Sequence, residues 1–340
     1  MDIDNHRKRC AILRVLAEAG EPLGSSAIAS ELQLTGVGLK QRMVRYYLQK
    51  MDSAGLTENL GRAGRRITRQ GLEELERGVA IDKVGFISAL VDELAFRMSF
   101  DPSRRSGTVI LNISRLPSAA FAEARERIRM VFEAGLGMGR YLVTAGPGEQ
   151  LAGRLVPAGQ TAVGTVCSVT VNGALRTAGI PVRSLFGGLL ELRDGKPLRF
   201  VQIITYDGTT VDPVEIFIKG GMTRVREAAQ TGAGTIGASF REIPAAALPA
   251  ARQLLQQLAD AGLGGVLLLG RPGRPLLDVP VPQGRVGLIV AAGLNPIAAV
   301  EEAGIETENH AMAVLHEFLA LAPAGALPPS HNRVPFAAQR

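Results

Sequence analysis

The sequence predicts an α+β fold: an N-terminal winged helix-turn-helix followed by a duplicated, pseudo-symmetric α+β effector domain. Three observations predict it. A basic amphipathic helix and a glycine-tipped basic hairpin lie within the first eighty residues. A pattern of glycines and prolines recurs about 127 residues apart in the remainder. Strand-like and helix-like runs follow the same order in each recurrence. At 340 residues the chain has room for two or three domains.

The first element is a helix over residues 7–19, where Ile12, Leu13, Leu16 and Ala19 recur at helical spacing. Gly20 and Pro22 break it. A second helix follows, with Ser25 or Ser26 as N-cap and Ile28, Ala29 and Leu32 inward. After a turn at residues 35–38, a third helix spans about 39–54 and stops at Gly55. Met43, Tyr47 and Met51, flanked by Val44 and Leu48, form its apolar side. Arg42, Arg45, Gln49 and Asp52 form the other. Residues 56–59 and 66–68 read as strands around the turn 61–64, and a helix covers about 69–77.

This order of elements is that of a winged helix, and the charge fits a polyanion. Residues 36–70 hold eight basic side chains against two acids, a local charge of +6 that equals the net charge of the whole chain. Arginine and glutamine suit guanine and adenine edges in the major groove. The expected DNA contacts are therefore Lys40, Arg42, Arg45, Tyr46 and Gln49 on the helix and Arg62, Arg65 and Arg66 on the wing. A solvated face, or a winged helix used as an adaptor on a protein partner, is the alternative. The expected boundaries are 1–80 for this domain and 81–106 for a connecting helix and loop.

That connecting helix, over 81–100, places Val84, Ile87, Ser88, Val91, Leu94, Ala95 and Met98 on one stripe; it suits core, linker or dimer seam. The effector domain is expected over 107–325. Within it, repeat 1 covers about 107–185, a hairpin insert 186–212 and repeat 2 about 234–320, with a tail at 326–340. The segment from Gly107 to Pro117 parallels Gly234 to Pro244, and Ala134-Gly-Leu-Gly137 parallels Ala261-Gly-Leu-Gly264. Two residues are then lost from the second copy, so Pro157 and Gly159 match Pro282 and Gly284, and Ala178-Gly-Ile180 matches Ala303-Gly-Ile305. Each copy reads strand, proline, helix, strand, strand, short helix. Asp194-Gly195 marks a hairpin turn between the copies.

Two joined halves commonly leave a cleft for a ligand between them. Cys167 matches Ala292, so the thiol is not demanded by the repeated fold and is a candidate lining residue; a small buried apolar thiol is the plainer reading. Thr170 and Asn295 stand at matching cap positions before the short helices, whose free N–H groups suit a carboxylate. The expected effector contacts are Thr165, Cys167, Ser168, Thr170 and Asn295, with Arg183 and Arg241 as carboxylate holders. Paired half-sites on DNA call for a homodimer.

Other classes fit poorly. The two cysteines and four histidines have no metal-type spacing, and no catalytic motif occurs, so neither a cofactor nor catalysis is expected. Gly135-x-Gly-x-Gly139 follows a helix and is read as the turn that ends it. No run of 18 apolar residues predicts a membrane span, and the polar start is no secretory signal; a reducing cytoplasm is the expected location.

Long segments of the chain resemble the NrpR-type regulators. They are Gly164-Thr-Val-Cys-Ser-Val-Thr-Val-Asn-Gly173, Ala178-Gly-Ile-Pro-Val-Arg183, Phe186-Gly-Gly-Leu-Leu-Glu191, Tyr206-Asp-Gly-Thr-Thr-Val-Asp-Pro213, Ile236-Gly-Ala-Ser-Phe-Arg-Glu-Ile-Pro244 and Gly293-Leu-Asn-Pro-Ile-Ala-Ala-Val300. The resemblance spans about residues 8–320. It implies a dimeric repressor of nitrogen-assimilation genes, bound to double-stranded operator DNA and released by the dicarboxylate 2-oxoglutarate. Some members carry two effector domains; this chain has room for one.

Overall fold

In the computed structural model, residues 3–34, 37–82 and 86–326 are described. Part of the expected turn at 35–38, Val84 of the expected connecting stripe and the tail after 326 lie outside them. Contacts within the chain divide it into two units, residues 1–86 and 87–340.

The first unit is a winged helix. Its helices are α1 (Ile3–Ala19), α2 (Ser25–Leu34) and α3 (Gln41–Ser53); strands β1 (Thr57–Asn59) and β2 (Arg65–Ile67) form the wing, and α4 (Arg69–Asp82) closes it. Ile12, Leu13 and Leu16 of α1, Ile28 and Leu32 of α2, and Val44, Tyr47, Leu48 and Met51 of α3 make one core. The expected stripes are displaced in two places: Ala19 and Met43 are exposed, while Val15 and Cys10 join the core. On α3 the buried positions step by three, one and three, so Met43 falls one residue off the apolar stripe. A single β-bridge joins the wing to the segment before α2: Leu23 exchanges backbone hydrogen bonds with Arg65 (3.0 and 2.9 Å). Gly64, at φ 105°, permits this approach, since a Cβ there would overlap the Leu23 carbonyl group.

The second unit begins with α5 (Phe86–Arg97). Its Ile87, Val91, Leu94 and Ala95 are buried among Val109, Val171, Ala174 and Leu175. Of the expected 81–100 helix, residues 86–97 form α5, which belongs to the core of the larger unit.

The repeat follows. Half 1 runs β3 (Thr108–Pro117), α6 (Phe121–Glu133), β4 (Tyr141–Ala145), a small hairpin of β5 (Gln150–Leu151) and β6 (Arg154–Leu155), β7 (Gln160–Val166), α7 (Val169–Thr177) and β8 (Arg183–Arg193). An insert supplies β9 (Lys196–Thr205), α8 (Pro213–Lys219) and α9 (Val225–Thr231). Half 2 runs β10 (Gly234–Pro244), α10 (Leu248–Asp260), β11 (Val266–Leu269), β12 (Arg285–Ala291), α11 (Asn295–Glu301) and β13 (Glu308–Glu317), and β14 (Ala322–Pro323) follows.

Two antiparallel five-stranded sheets result, ordered β13-β3-β7-β4-β14 and β9-β8-β10-β12-β11. Four strands of each superpose under the repeat, β13-β3-β7-β4 on β8-β10-β12-β11, while β14 and β9 extend opposite edges. Each half sends its last strand into the other half's sheet: β8 pairs with β10, and β13 with β3. The repeat therefore extends through β8, and the insert starts at β9 rather than at residue 186. Helices cross over as well, with α6 against α11 and α10 against α7. The matching Ala-Gly-Leu-Gly turns meet each other: Gly139 N–H donates to Gly264 O (2.7 Å) and Arg140 N–H to Gly262 O (3.1 Å). Exchanged strands and helices bury apolar faces that neither half can cover alone.

Candidate functional sites: a basic helical face and an axial polar cleft

On α3, Lys40 (the N-cap residue), Arg42, Arg45, Tyr46 and Gln49 are all exposed. Arg45 Nε donates to Ser25 Oγ (3.2 Å), as does Gln41 Nε2 (3.4 Å), so this part of the face also braces α2. Lys50 lies 4.6 Å above the Tyr46 ring. The wing arginines divide by environment. Arg65 is tied to Asp52 of α3 (2.9 Å) and is largely covered, and Thr57 Oγ1 donates to the same carboxylate (2.6 Å). Arg66 pairs with Glu58 across the hairpin (3.0 Å) on open surface. Arg62 projects from the tip with no acid partner among the described residues. An exposed pair such as Arg66–Glu58 contributes little and exchanges readily for a phosphate; the covered Arg65 is a brace between wing and helix.

The second site lies where the two halves meet. A narrow cleft of about 20 Å³ is lined in matched pairs, Asn112 with Ser239, Cys167 with Ala292 and Ser168 with Gly293, and the insert and β13 add Tyr206, Asp212, Val214 and Ala311. Lining by equivalent residues puts the cleft on the internal two-fold. Beside it stands Arg241 of β10, 1 % exposed, at the position of Ser114 in half 1. Its Nη1 donates to Ser168 O (2.7 Å) and its Nη2 to Ser168 Oγ (2.8 Å). Its Nε is buried without a partner, and no carboxylate lies within ion-pair distance among the described residues.

Burial sets the electrostatics. It pulls the Arg241 guanidinium below its ordinary value, pushes the Asp212 carboxyl up to about 6, Glu215 up to about 7 and the Cys167 thiol up to about 12. Asp212 is also the cap of α8, accepting from Val214 N–H (2.8 Å). Glu215, one turn on, accepts from the backbone N–H of Ala311.

Of the seven expected effector residues, Cys167 and Ser168 line the cleft and Arg241 stands against Ser168. Thr165 is buried on β7, its hydroxyl 3.4 Å from Asn112 Nδ2. Arg183 is exposed at the start of β8 and does not line the cleft. Thr170 and Asn295 are not the caps expected: the helices begin at Val169 and Asn295, after Ser168 and Leu294. Their polar atoms are engaged by the first strand of their own half and, for Asn295, also by a carbonyl of half 1. Thr170 Oγ1 accepts from Ile110 N–H (3.2 Å). Asn295 Oδ1 accepts from Gly237 N–H and its Nδ2 donates to Gly237 O (both 2.9 Å) and Leu136 O (2.7 Å). Ile110 and Gly237 are equivalent under the repeat, so both side chains make the same clip. Sequence reading passed over Tyr206, Asp212 and Glu215. The signal available was Asp212-Pro213, a cap followed by proline at a helix start.

A winged helix with a cationic helical face, joined to a duplicated domain with a polar cleft on its own axis, defines a two-part regulator. Comparison with known proteins supplies the family. Residues 84–322 match the model of the NrpR regulatory domains NRD1 and 2, and residues 10–75 match that of the Ribonuclease R winged-helix domain. The chain is 36% identical over 321 residues to the global nitrogen regulator NrpRI of Methanosarcina mazei, covering 94% of this chain and 98% of that protein. It is 29% identical over 306 residues to the global nitrogen regulator NrpR of Methanococcus maripaludis, covering 90% of this chain and 53% of that one. In fold it matches the crystal structure of a nitrogen repressor-like protein from Methanococcus jannaschii, at 24% identity and a TM-score of 0.59, over 70% of this chain and 97% of that one. The chain belongs to the NrpR family of nitrogen regulators. No described helix is long and apolar enough to cross a membrane.

Proposed function

We propose that the chain represses nitrogen-assimilation genes by binding operator DNA as a homodimer, and that 2-oxoglutarate in the axial cleft releases it. The observation that carries this reading is the break in internal symmetry at Arg241. A buried guanidinium without a carboxylate is costly, and it is kept where an anionic ligand can supply the missing partner. The cleft in this state has room for about one water. A five-carbon dicarboxylate enters only as its walls part, so it binds one conformation in preference to the other. A ~100-fold preference is about 2.7 kcal/mol, enough to move a closely balanced pair of states.

The ion pairs of Arg65 and Arg66 favour a second reading, in which the winged helix docks on a protein. The salt dependence of duplex binding separates the two, because phosphate contacts give a steep slope. On the DNA reading, Arg42→Ala weakens operator binding by roughly 1–3 kcal/mol in a mobility-shift assay, and Arg42→Ala with Arg45→Ala abolishes it. Arg42 is the cleaner probe, since Arg45 also braces α2. Arg241→Met leaves a repressor that millimolar 2-oxoglutarate does not release. Unchanged DNA binding by the folded double variant rejects the docking. No heat with 2-oxoglutarate, together with unchanged operator affinity, rejects the effector.

A further inference from the structure

We propose that entry of an anion into the axial cleft is coupled to uptake of a proton by the Asp212–Glu215 pair. This rests on the reading of the cleft given above and adds its regulation. The argument is a charge inventory. Asp212 is faced by Tyr206 from the turn before α8, by Cys167 from the β7–α7 junction, by Arg241 from β10, and by Glu215 on its own helix. Glu215 is faced by Asp212 and by the backbone N–H of Ala311 on β13. Asp212 thus lines the cleft, Arg241 stands beside it against Ser168, and Glu215 is tied to the lining residue Ala311; both Nη atoms of the one cation are already spent on Ser168.

A dicarboxylate brings two more negative charges into a cleft with room for about one water. Carboxylates that share such a site cannot all stay ionised, and one gives way by taking a proton. Burial has already raised both groups into reach of neutral pH. The proton also has a mechanical outlet. Glu215 holds Ala311 at the bulge where β13 slips register against β3 between His310 and Val314, and where Met312 sits at φ 50°. Neutralising Glu215 weakens that charge-assisted clasp on a wall of the cleft.

The sign follows from linkage. Below about pH 6 both groups are already protonated in the empty cleft and affinity is flat. Above about pH 7 a proton must be taken up, and Kd weakens about tenfold per pH unit for each proton. The test is calorimetry of the intact protein with 2-oxoglutarate in two buffers of different ionisation heat near neutral pH, with Kd followed towards mildly alkaline pH. The expected result is uptake of about one proton and the tenfold slope, flattened by Asp212→Asn and by Glu215→Gln. The wild-type result stands if either variant fails to fold. Equal heats in both buffers with a flat Kd overturn the coupling and leave the effector reading intact. If 2-oxoglutarate does not bind, glutarate, succinate and sulfate carry the same test. Binding by none of them overturns the cleft as an anion site, and the coupling with it.

Discussion

The two halves of the larger unit share the strands and helices of the repeat apart from the β5–β6 hairpin of half 1, yet the side chains they bring to their axis differ. Where half 2 has Arg241, half 1 has Ser114; where half 1 has Cys167 and Ser168, half 2 has Ala292 and Gly293. The insert that brings Tyr206, Asp212 and Glu215 follows half 1 alone. By contrast, what the halves share is structural. The glycines that end α6 and α10 (Gly135, φ 70°; Gly262, φ 84°) do the same work in both. So do the side-chain clips of Thr170 on Ile110 and Asn295 on Gly237. The copies share the framework, and the candidate site lies where they differ.

The most severe way to break this comparison is to give half 2 the serine of half 1. A Cβ on Gly293 would overlap the backbone oxygen of Val166 and lie 2.6 Å from Asn112 Nδ2, and backbone cannot yield as a side chain does. Gly293→Ser should cost more than about 4 kcal/mol and leave the larger unit unfolded by circular dichroism. The reciprocal Ser168→Gly gives up one hydrogen bond to Arg241 and should fold. A cooperative melt of Gly293→Ser near the wild-type temperature would show that the axis tolerates side chains on both sides.

The next test acts on the shared framework. Asn295→Ala strands the buried N–H of Gly237 and carbonyl of Leu136, while the Gly237 carbonyl keeps its bond from Ala292 N–H (2.9 Å). Urea denaturation should report a loss of about 3 kcal/mol, since each stranded group costs roughly 1–3 kcal/mol before relaxation. A loss under about 1 kcal/mol would mean that water replaces the clip.

The repeat was legible because its glycines and prolines serve turns, which depend on local backbone and leave a mark in sequence. The exchange of β8 and β13 between sheets was not, because a strand's periodicity does not say which sheet it joins. The short helices α8 and α9, seven residues each, are too brief to show a period. At the candidate site, comparing the copies points to Cys167, whereas Arg183 and Arg241 are chosen as arginines within the resembling segments, and only Arg241 stands at the cleft. Asp212 and Glu215 were missed because they lie in the insert, where there is no second copy to compare. Thr170 and Asn295 were assigned to a ligand from their nearness to a helix start, and the clip that explains them joins residues 60 and 58 positions apart.

The gentlest variant sharpens that last point. Thr170→Val keeps the shape of the side chain and removes its hydroxyl, which accepts from Ile110 N–H at 3.2 Å and lies 3.5 Å from Ile110 O. The Ile110 N–H is then left alone at a fully buried residue. One modest bond is lost and one donor stranded, so stability should fall by about 1–2 kcal/mol, less than for Asn295→Ala with its three bonds. The readout that separates framework from site is affinity. A hydroxyl already engaged by its own half offers a ligand little, so Kd for 2-oxoglutarate should change by less than about twofold, worth about 0.4 kcal/mol. If Thr170 instead holds a carboxylate of the effector, its loss should weaken binding tenfold or more at that same small cost in stability. That result would place the matched residues, and not only the divergent ones, in the site.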